Sequence, residues 1–418
     1  MKKPFHKHVI HHVKRAHRNV TKYLYERDTI FATIWVFLFI MILSFIPSMK
    51  FLNPVKLALK DFDFNDMAYA KLEKAEKSKF DVGDSGKIVI INIGLADREG
   101  LAMLLEKTAS YEPKSIGLDV WMEEPREPEK DSILAAAIRK TPNLIIASRF
   151  KPGKGKEEAE YYHNYFTQFT GAEEGSVNFA HEELATIRLW NAYFKHQEVE
   201  YPSFALALIK KAYPDEYEKF RKKGKDKLII NYTRRTNQYQ VINPDDLMMG
   251  RVDSSSIKGK IALLGYINLD PNNIEDKKFT PLNDKYYGKS VPDMNGIVVH
   301  ANIVSMVLEH NYIKKLPSWF IWLFAILIGW LHMSLFIRYY LENHIWFHLV
   351  AKIAQLASAF FFVWLGVHLF DRYRIKLDMK LTLVVIVLAV DVIYFYEAWA
   401  VWMHKKFGYK TVFHHHHH

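Results

Sequence analysis

"KIVIINIGLADREGLAMLLEKTASYEPKSIGLDVWM", Lys87 to Met122, decides how the middle of this chain folds. "KIVIINIG" (Lys87–Gly94) is a continuous apolar run of strand length. "ADREGLAMLLEKTASY" then spaces its apolar residues for one face of a helix, and "SIGLDVWM" (Ser115–Met122) is a second strand. The alternation continues with a helix in "EKDSILAAAIRKT" and a third strand in "NLIIASRF" (Asn143–Phe150). Strands that are apolar throughout are buried on both faces, so the expected fold is α/β, a mostly parallel sheet covered by helices. Further along, "DKLIINY" and "GKIALLGYI" read as two more buried strands, and "SFALALIKKAY" and "NGIVVHANIVSMVLEHN" as helices. The polar, aromatic-rich residues 151–180 read as a loop or insertion.

Outside this block the sequence changes character. Thr29 to Met49, "TIFATIWVFLFIMILSFIPSM", has no charged side chain and the ~20 residues a helix needs to cross a ~30 Å hydrocarbon core. Three more long apolar segments follow the middle region: Leu316–Ile337, Ile345–Phe370 and Leu381–Met403. The first is too long for the apolar core of a signal peptide and no small-x-small cleavage site follows it, so it reads as a retained anchor. The expected plan is a basic segment 1–28, an anchor 29–49, an α/β domain 50–315, three membrane helices within 316–403, a short tail 404–413 and a histidine run 414–418 that reads as a purification tag. Eight lysines and arginines precede the anchor and keep that end in the cytoplasm. Four crossings then place both termini inside and the α/β domain outside. The basic loop "DRYRIKLDMK" argues the other way and is outweighed by the N-terminal cluster and the even number of spans. Trp319, Trp322, Trp346, Trp364, Trp399 and Trp402 fall near the expected interfaces.

Composition excludes several function classes. The net charge of +11 is gathered largely in the N-terminal cluster, where membrane lipid headgroups account for it and no nucleic acid is needed. His6, His8, His11, His12 and His17 in that cluster have no carboxylate or cysteine among them and no repeating spacing, so no metal is expected there. With no cysteine in the chain, disulfides and thiolate chemistry are ruled out.

Ligands of open α/β sheets bind beyond the carboxyl ends of the strands. Asn92, Asp97, Asp119, Glu123 and Glu124 are the candidate ligand-binding residues there. The polar stretch "INLDPNNIEDKKFTPLN" (Ile267–Asn283) adds Asp270 and Asp276. The turn "NIGLADREG" lacks the closely spaced glycines of a dinucleotide loop, and neither a Walker lysine nor a serine elbow is present. The expectation is a protein without catalysis or cofactor. An Asp at a strand end usually caps a neighbouring turn, which is the plain reading of Asp119.

The membrane helices hold ionisable groups that need partners. Counting ~1.5 Å per residue from the cytoplasmic ends puts Glu397 and Lys352 both about 9–11 Å in, a pair between the last two helices. Asp391 lies about 18 Å in by the same rise, nearest in level to Gln355, Ser358 and His332. It reads either as an internal packing contact or as a group that receives a partner's membrane helix or moves a proton.

One anchor, then "GLD" at a strand end, "GSVNFA", "YPSFALALI", "LIINY", "GKIALLGY", "HAN" and three closely spaced membrane helices together resemble the second type of CHASE domain. That resemblance implies an extracytoplasmic sensory module in a bacterial cytoplasmic (inner) membrane. In that family the last helix usually leads into a cytoplasmic cyclase, kinase or similar effector, whereas here it leads into "HKKFGYKTVF". The function expected is therefore a sensor whose output is a separate effector protein. The alternative is a structural or scaffold subunit of an envelope complex that uses the outer domain for docking. Partners in either case are lipid, such a protein in trans, or a second copy in a homo-oligomer. His300, in "HAN", matches a histidine recurrent in the family and reads as buried and hydrogen-bonded.

Overall fold

The computed structural model describes residues 22–45, 63–69, 86–151, 153, 160–179, 186–268, 270, 273–283, 291–342 and 344–415. The N-terminal histidines, Pro47 and the last three histidines lie outside them. The chain forms two compact units, Asp66–Ile313 and Met1–Asn65 with Lys314–His418.

The first unit is built on β1 (Ile88–Asn92), β2 (Ser115–Leu118), β3 (Leu144–Lys151), β4 (Glu160–Tyr162), β5 (Glu173–Ser176), β6 (Val241–Ile242) and β7 (Ile261–Gly265). Their order is β6-β1-β7-β2-β3-β4, with β5 also paired to β3. All the pairings are parallel except that of β3 with β4, so this is a mostly parallel α/β sheet. Continuous apolar strands follow from burial on both faces. Val89, Ile91, Ile116 and Leu118 pack with Leu101 and Leu105 of α1 (Arg98–Ala109) and Leu134 and Ile138 of α2 (Pro128–Arg139). Each such side chain contributes about 1.5–3 kcal/mol on burial.

The other face is covered by α3 (Phe204–Ala212) and α4 (Gly296–Leu308), which come very close. A Cβ on Gly175 would lie 2.5 Å from the Phe204 Cα, and one on Gly265 would lie 2.8 Å from Ile297. Glycine is what lets these helices sit on the strands.

Two expectations are corrected. "DKLIINY" supplies only a short strand, Lys227–Ile229, and it pairs antiparallel with Leu189–Asn191 outside the main sheet. Residues 151–180, expected as a loop, supply β4 and β5, because pairing with β3 organises even the polar segment Glu173–Ser176.

Among the described residues, four helices are long and apolar enough to cross a membrane, and the second unit holds them. These are α5 (Arg27–Phe45), α6 (Ser318–Glu342), α7 (His344–Tyr373) and α8 (Lys380–Phe407), labelled here by unit and numbered on from α4. Ala32, Ala325 and Ala389 are fully buried among them, and a Cβ on Gly329 would lie 2.6 Å from Val385. Small residues allow this close approach where helix association rests on packing. Between α7 and α8, Ile375–Lys376 pairs parallel with Lys314–Lys315, and Lys376 forms an ion pair with Asp63.

Candidate functional site

At the carboxyl ends of the strands, the predicted residues separate into two groups. Asn92 is a clamp: its Oδ1 accepts from the amides of Gly94 and Ile267, each at 3.0 Å, and its Nδ2 donates to the Ile267 carbonyl. Asp97 caps α1, accepting from the Gly100 amide at 2.9 Å and pairing with Lys130 at 2.9 Å. That amide and Lys130 hold its carboxyl below the usual range. Glu123 and Glu124 are exposed, and the Glu124 carbonyl accepts from Arg98 at 2.6 Å. Asp270 is exposed too, its carbonyl accepting from Lys277.

Asp119 and Asp276 do come together. Asp119 directly follows β2, and its carboxylate makes no hydrogen bond among the described residues. Burial, and then the charge of Asp276, push its pKa up to about 7 against the pull of Lys278 and Arg149. Burial also raises that of Asp276, again opposed by Lys278. Asp276 has a left-handed backbone (φ 56°), accepts from the Gly296 amide through its carbonyl at 3.3 Å, and holds its carboxylate 3.9 Å from the Lys278 ammonium. The start of α4 thus lies beside it, where a helix favours negative charge. Arg149 completes the group with its guanidinium 4.3 Å from the Trp121 ring, which meets Tyr162 edge-on. Among the described residues the Trp121 Nε1 is buried without a hydrogen-bond partner, as are the amide nitrogens of Asn268 and Asn295. Two carboxyls, two cations and an aromatic face converge at this edge, a set suited to a small polar ligand bearing both signs of charge.

His300 belongs to the core. Its ring stacks on Phe179 at 4.7 Å, and burial lowers its pKa to about 3, so it stays neutral.

In the membrane helices, His332 bonds Ser358 at 2.8 Å and the Ile328 carbonyl at 2.9 Å, joining α6 to α7. Gln355 donates to the carbonyls of Ile386 and Val387, both at 3.0 Å, joining α7 to α8. The expected Lys352–Glu397 pair is not formed. Glu397 is buried and accepts from the Tyr340 hydroxyl, while Lys352 donates to Gln355 at 3.2 Å. Nor does Asp391 meet Gln355, Ser358 or His332: it is exposed on α8, with no hydrogen bond or ion pair among the described residues.

A family model described as CHASE2 domain matches residues 34–336, from within α5 to within α6. The chain belongs to the CHASE2 family. CHASE2 is a family of sensory domains. Neither the curated proteins nor the solved structures compared with this CHASE2 chain give a match.

Three members of the CHASE2 edge cluster escaped the sequence reading: Arg149, Lys278 and Trp121. Trp121 stands two residues from Asp119 in "GLDVW", and that proximity was the available signal. A fourth functional-looking residue, Asp28, carried no signal, since a charge beside an apolar segment looks like a boundary. It is buried at the start of α5 and accepts from Tyr396, Tyr409, Thr411 and the Val412 amide.

Proposed function

We propose that this CHASE2 protein is a non-enzymatic multi-pass sensor of the bacterial inner membrane, with its α/β unit outside and both termini in the cytoplasm. The unit receives a small polar ligand at the edge formed by Asp119, Trp121, Arg149, Asp276 and Lys278, and the membrane helices pass the signal to a separate protein. The single observation that carries this reading is the convergence of those five side chains, with Asp119 left without a hydrogen bond among the described residues, in a family of sensory domains. Buried polar groups ordinarily have partners, so an edge with several unsatisfied ones is arranged for a ligand to complete it. The pairing of Lys376 with Asp63 supports the orientation, since it answers one positive charge of the loop that argued against it. The docking of residues 409–412 on Asp28 ties the ends of α5 and α8 together, so a shift in one is felt by the other.

Thermal stability of the full chain in nanodiscs, measured against α-amino acids, dicarboxylates and polyamines, tests the site. A stabilising compound should lose its effect in both Asp119→Asn and Arg149→Ala. An effect unchanged in both variants would remove this edge as the receptor site. Single cysteines at exposed Ser110 and Lys405, on the cysteine-free background, test the orientation with a membrane-impermeant thiol reagent. Labelling at Ser110 alone is expected, and labelling at Lys405 alone would reverse the topology.

A further inference from the structure

Two contacts set the register of the antiparallel helices α7 and α8. His348 meets the Tyr394 hydroxyl at 3.3 Å, and Gln355 meets the carbonyls of Ile386 and Val387. Moving up one helix by a residue moves down the other by one, so Lys352 stands level with Ala389 and Val390, within one residue of Asp391. Asp391 lies one turn beyond Val387 and three residues before Tyr394, while Lys352 lies one turn beyond His348 and three before Gln355. Residues so spaced share a helix face, and in an antiparallel pair both charges flank the seam on the same side. Both are exposed. Among the described residues Asp391 has no partner, and Lys352 bonds only Gln355.

We propose that this face binds a second copy of the chain, with Asp391 of each copy paired to Lys352 of the other. A two-fold axis along the membrane normal brings together residues at the same level and makes the contact self-complementary. A face with one charge of each sign at one level meets its complement in a copy of itself, whereas a foreign helix pair would have to supply both charges in the matching order. Leaving a lone carboxylate in hydrocarbon is costly, and this pairing removes that cost for both groups. Exposed Leu349, Ile353, Val387 and Phe395 beside the charges supply apolar surface for the same contact. The inference concerns assembly and stands whether or not the α/β unit binds a ligand.

Charge reversal tests it on the full chain in nanodiscs, with mass measured by light scattering and folding checked by circular dichroism. The wild type should be dimeric. Asp391→Lys alone and Lys352→Asp alone place like charges together, and each should lower the dimer fraction at least tenfold. Co-expressed with different affinity tags, these two variants should associate with each other, because each then supplies what the other lacks. That result separates pairing between copies from pairing within one chain. A monomeric wild type, reversals that leave the dimer intact, or co-expressed variants that fail to associate would each overturn the proposal. Should the reversals not fold, Asp391→Asn and Lys352→Gln decide it, since a wild-type dimer fraction in both also overturns it.

Discussion

Tyr396, in the last membrane helix, donates its hydroxyl to Asp28 at the start of the first, 2.6 Å away. Thr411 and the Val412 amide donate to the same carboxylate at 3.0 and 2.7 Å, and Arg27 lies over the Tyr409 ring. One buried carboxylate thus joins two helices and the segment after them. Asp28→Ala would leave several donors unsatisfied and should cost about 2–4 kcal/mol. Asp28→Asn keeps one acceptor and should cost less. The thermal midpoint of the full chain and the protease sensitivity of residues 408–413 check this, and an unchanged cleavage rate in Asp28→Ala would refute it.

Arg98 is buried in an ion pair with Asp131, donates to the Glu124 carbonyl, and lies over the Phe166 ring. Asp131 in turn accepts from the Arg126 amide at 3.0 Å, so the pair fixes the loop that follows Asp119. Arg98→Met strands a buried carboxylate and should cost about 3–5 kcal/mol, while adding Asp131→Leu should recover much of it. A double-mutant cycle of unfolding free energies measures the coupling, and simple additivity would show that the pair does not act as a unit.

Gly175 and Gly117 both face α3, but they meet different atoms. A Cβ at Gly175 would press on the Phe204 backbone at 2.5 Å, whereas at Gly117 it would meet the ring tip of Phe204 at 2.7 Å and Leu208 at 2.9 Å. Side-chain ends can rotate away and backbone cannot. Gly175→Ala should therefore destabilise by about 3 kcal/mol or more, and Gly117→Ala by about 1–2 kcal/mol. Thermal unfolding of the two variants decides the order, and the reverse ranking would contradict the packing described.

The strands β1, β2, β3 and β7 were legible because a strand buried on both faces has little choice but to be apolar. β5 was not, since Glu173–Ser176 carries polar residues and becomes a strand only by pairing with β3. Lys227–Ile229 shows the opposite failure: an apolar run announces burial without saying which sheet receives it. In the site, Asp119 and Asp276 stand in suggestive loops, but Arg149 and Lys278 arrive from separate segments and meet them only through the fold. The Lys352 pairing was misjudged because α8 continues to Phe407, so its last turns run past the start of α7 and counting from helix ends shifts the level.

Asp119 makes stability depend on pH in a defined direction. Its folded pKa is raised from 3.8 to about 7, chiefly by burial. The folded state therefore holds this proton more tightly than the unfolded chain between roughly pH 4 and 7, where an unfolded Asp titrates near 3.9. The stabilisation from protonation is fully present below about pH 4 and is lost as pH rises through about 7. Asp293, raised to about 6 by burial, adds a decline of the same sign. Asp119→Asn keeps the shape and cannot ionise, so it removes the Asp119 part and leaves that of Asp293. Partial exposure of Asp119 limits the effect to about 1–2 kcal/mol rather than the full value of a three-unit shift. The variant should be at least as stable as the wild type at pH 8 and nearly equal to it at pH 4, and the fall in thermal midpoint between those values should be shallower. Equal slopes for the two proteins would mean that Asp119 is ionised in the folded state throughout this range, with Arg149 and Lys278 compensating it fully.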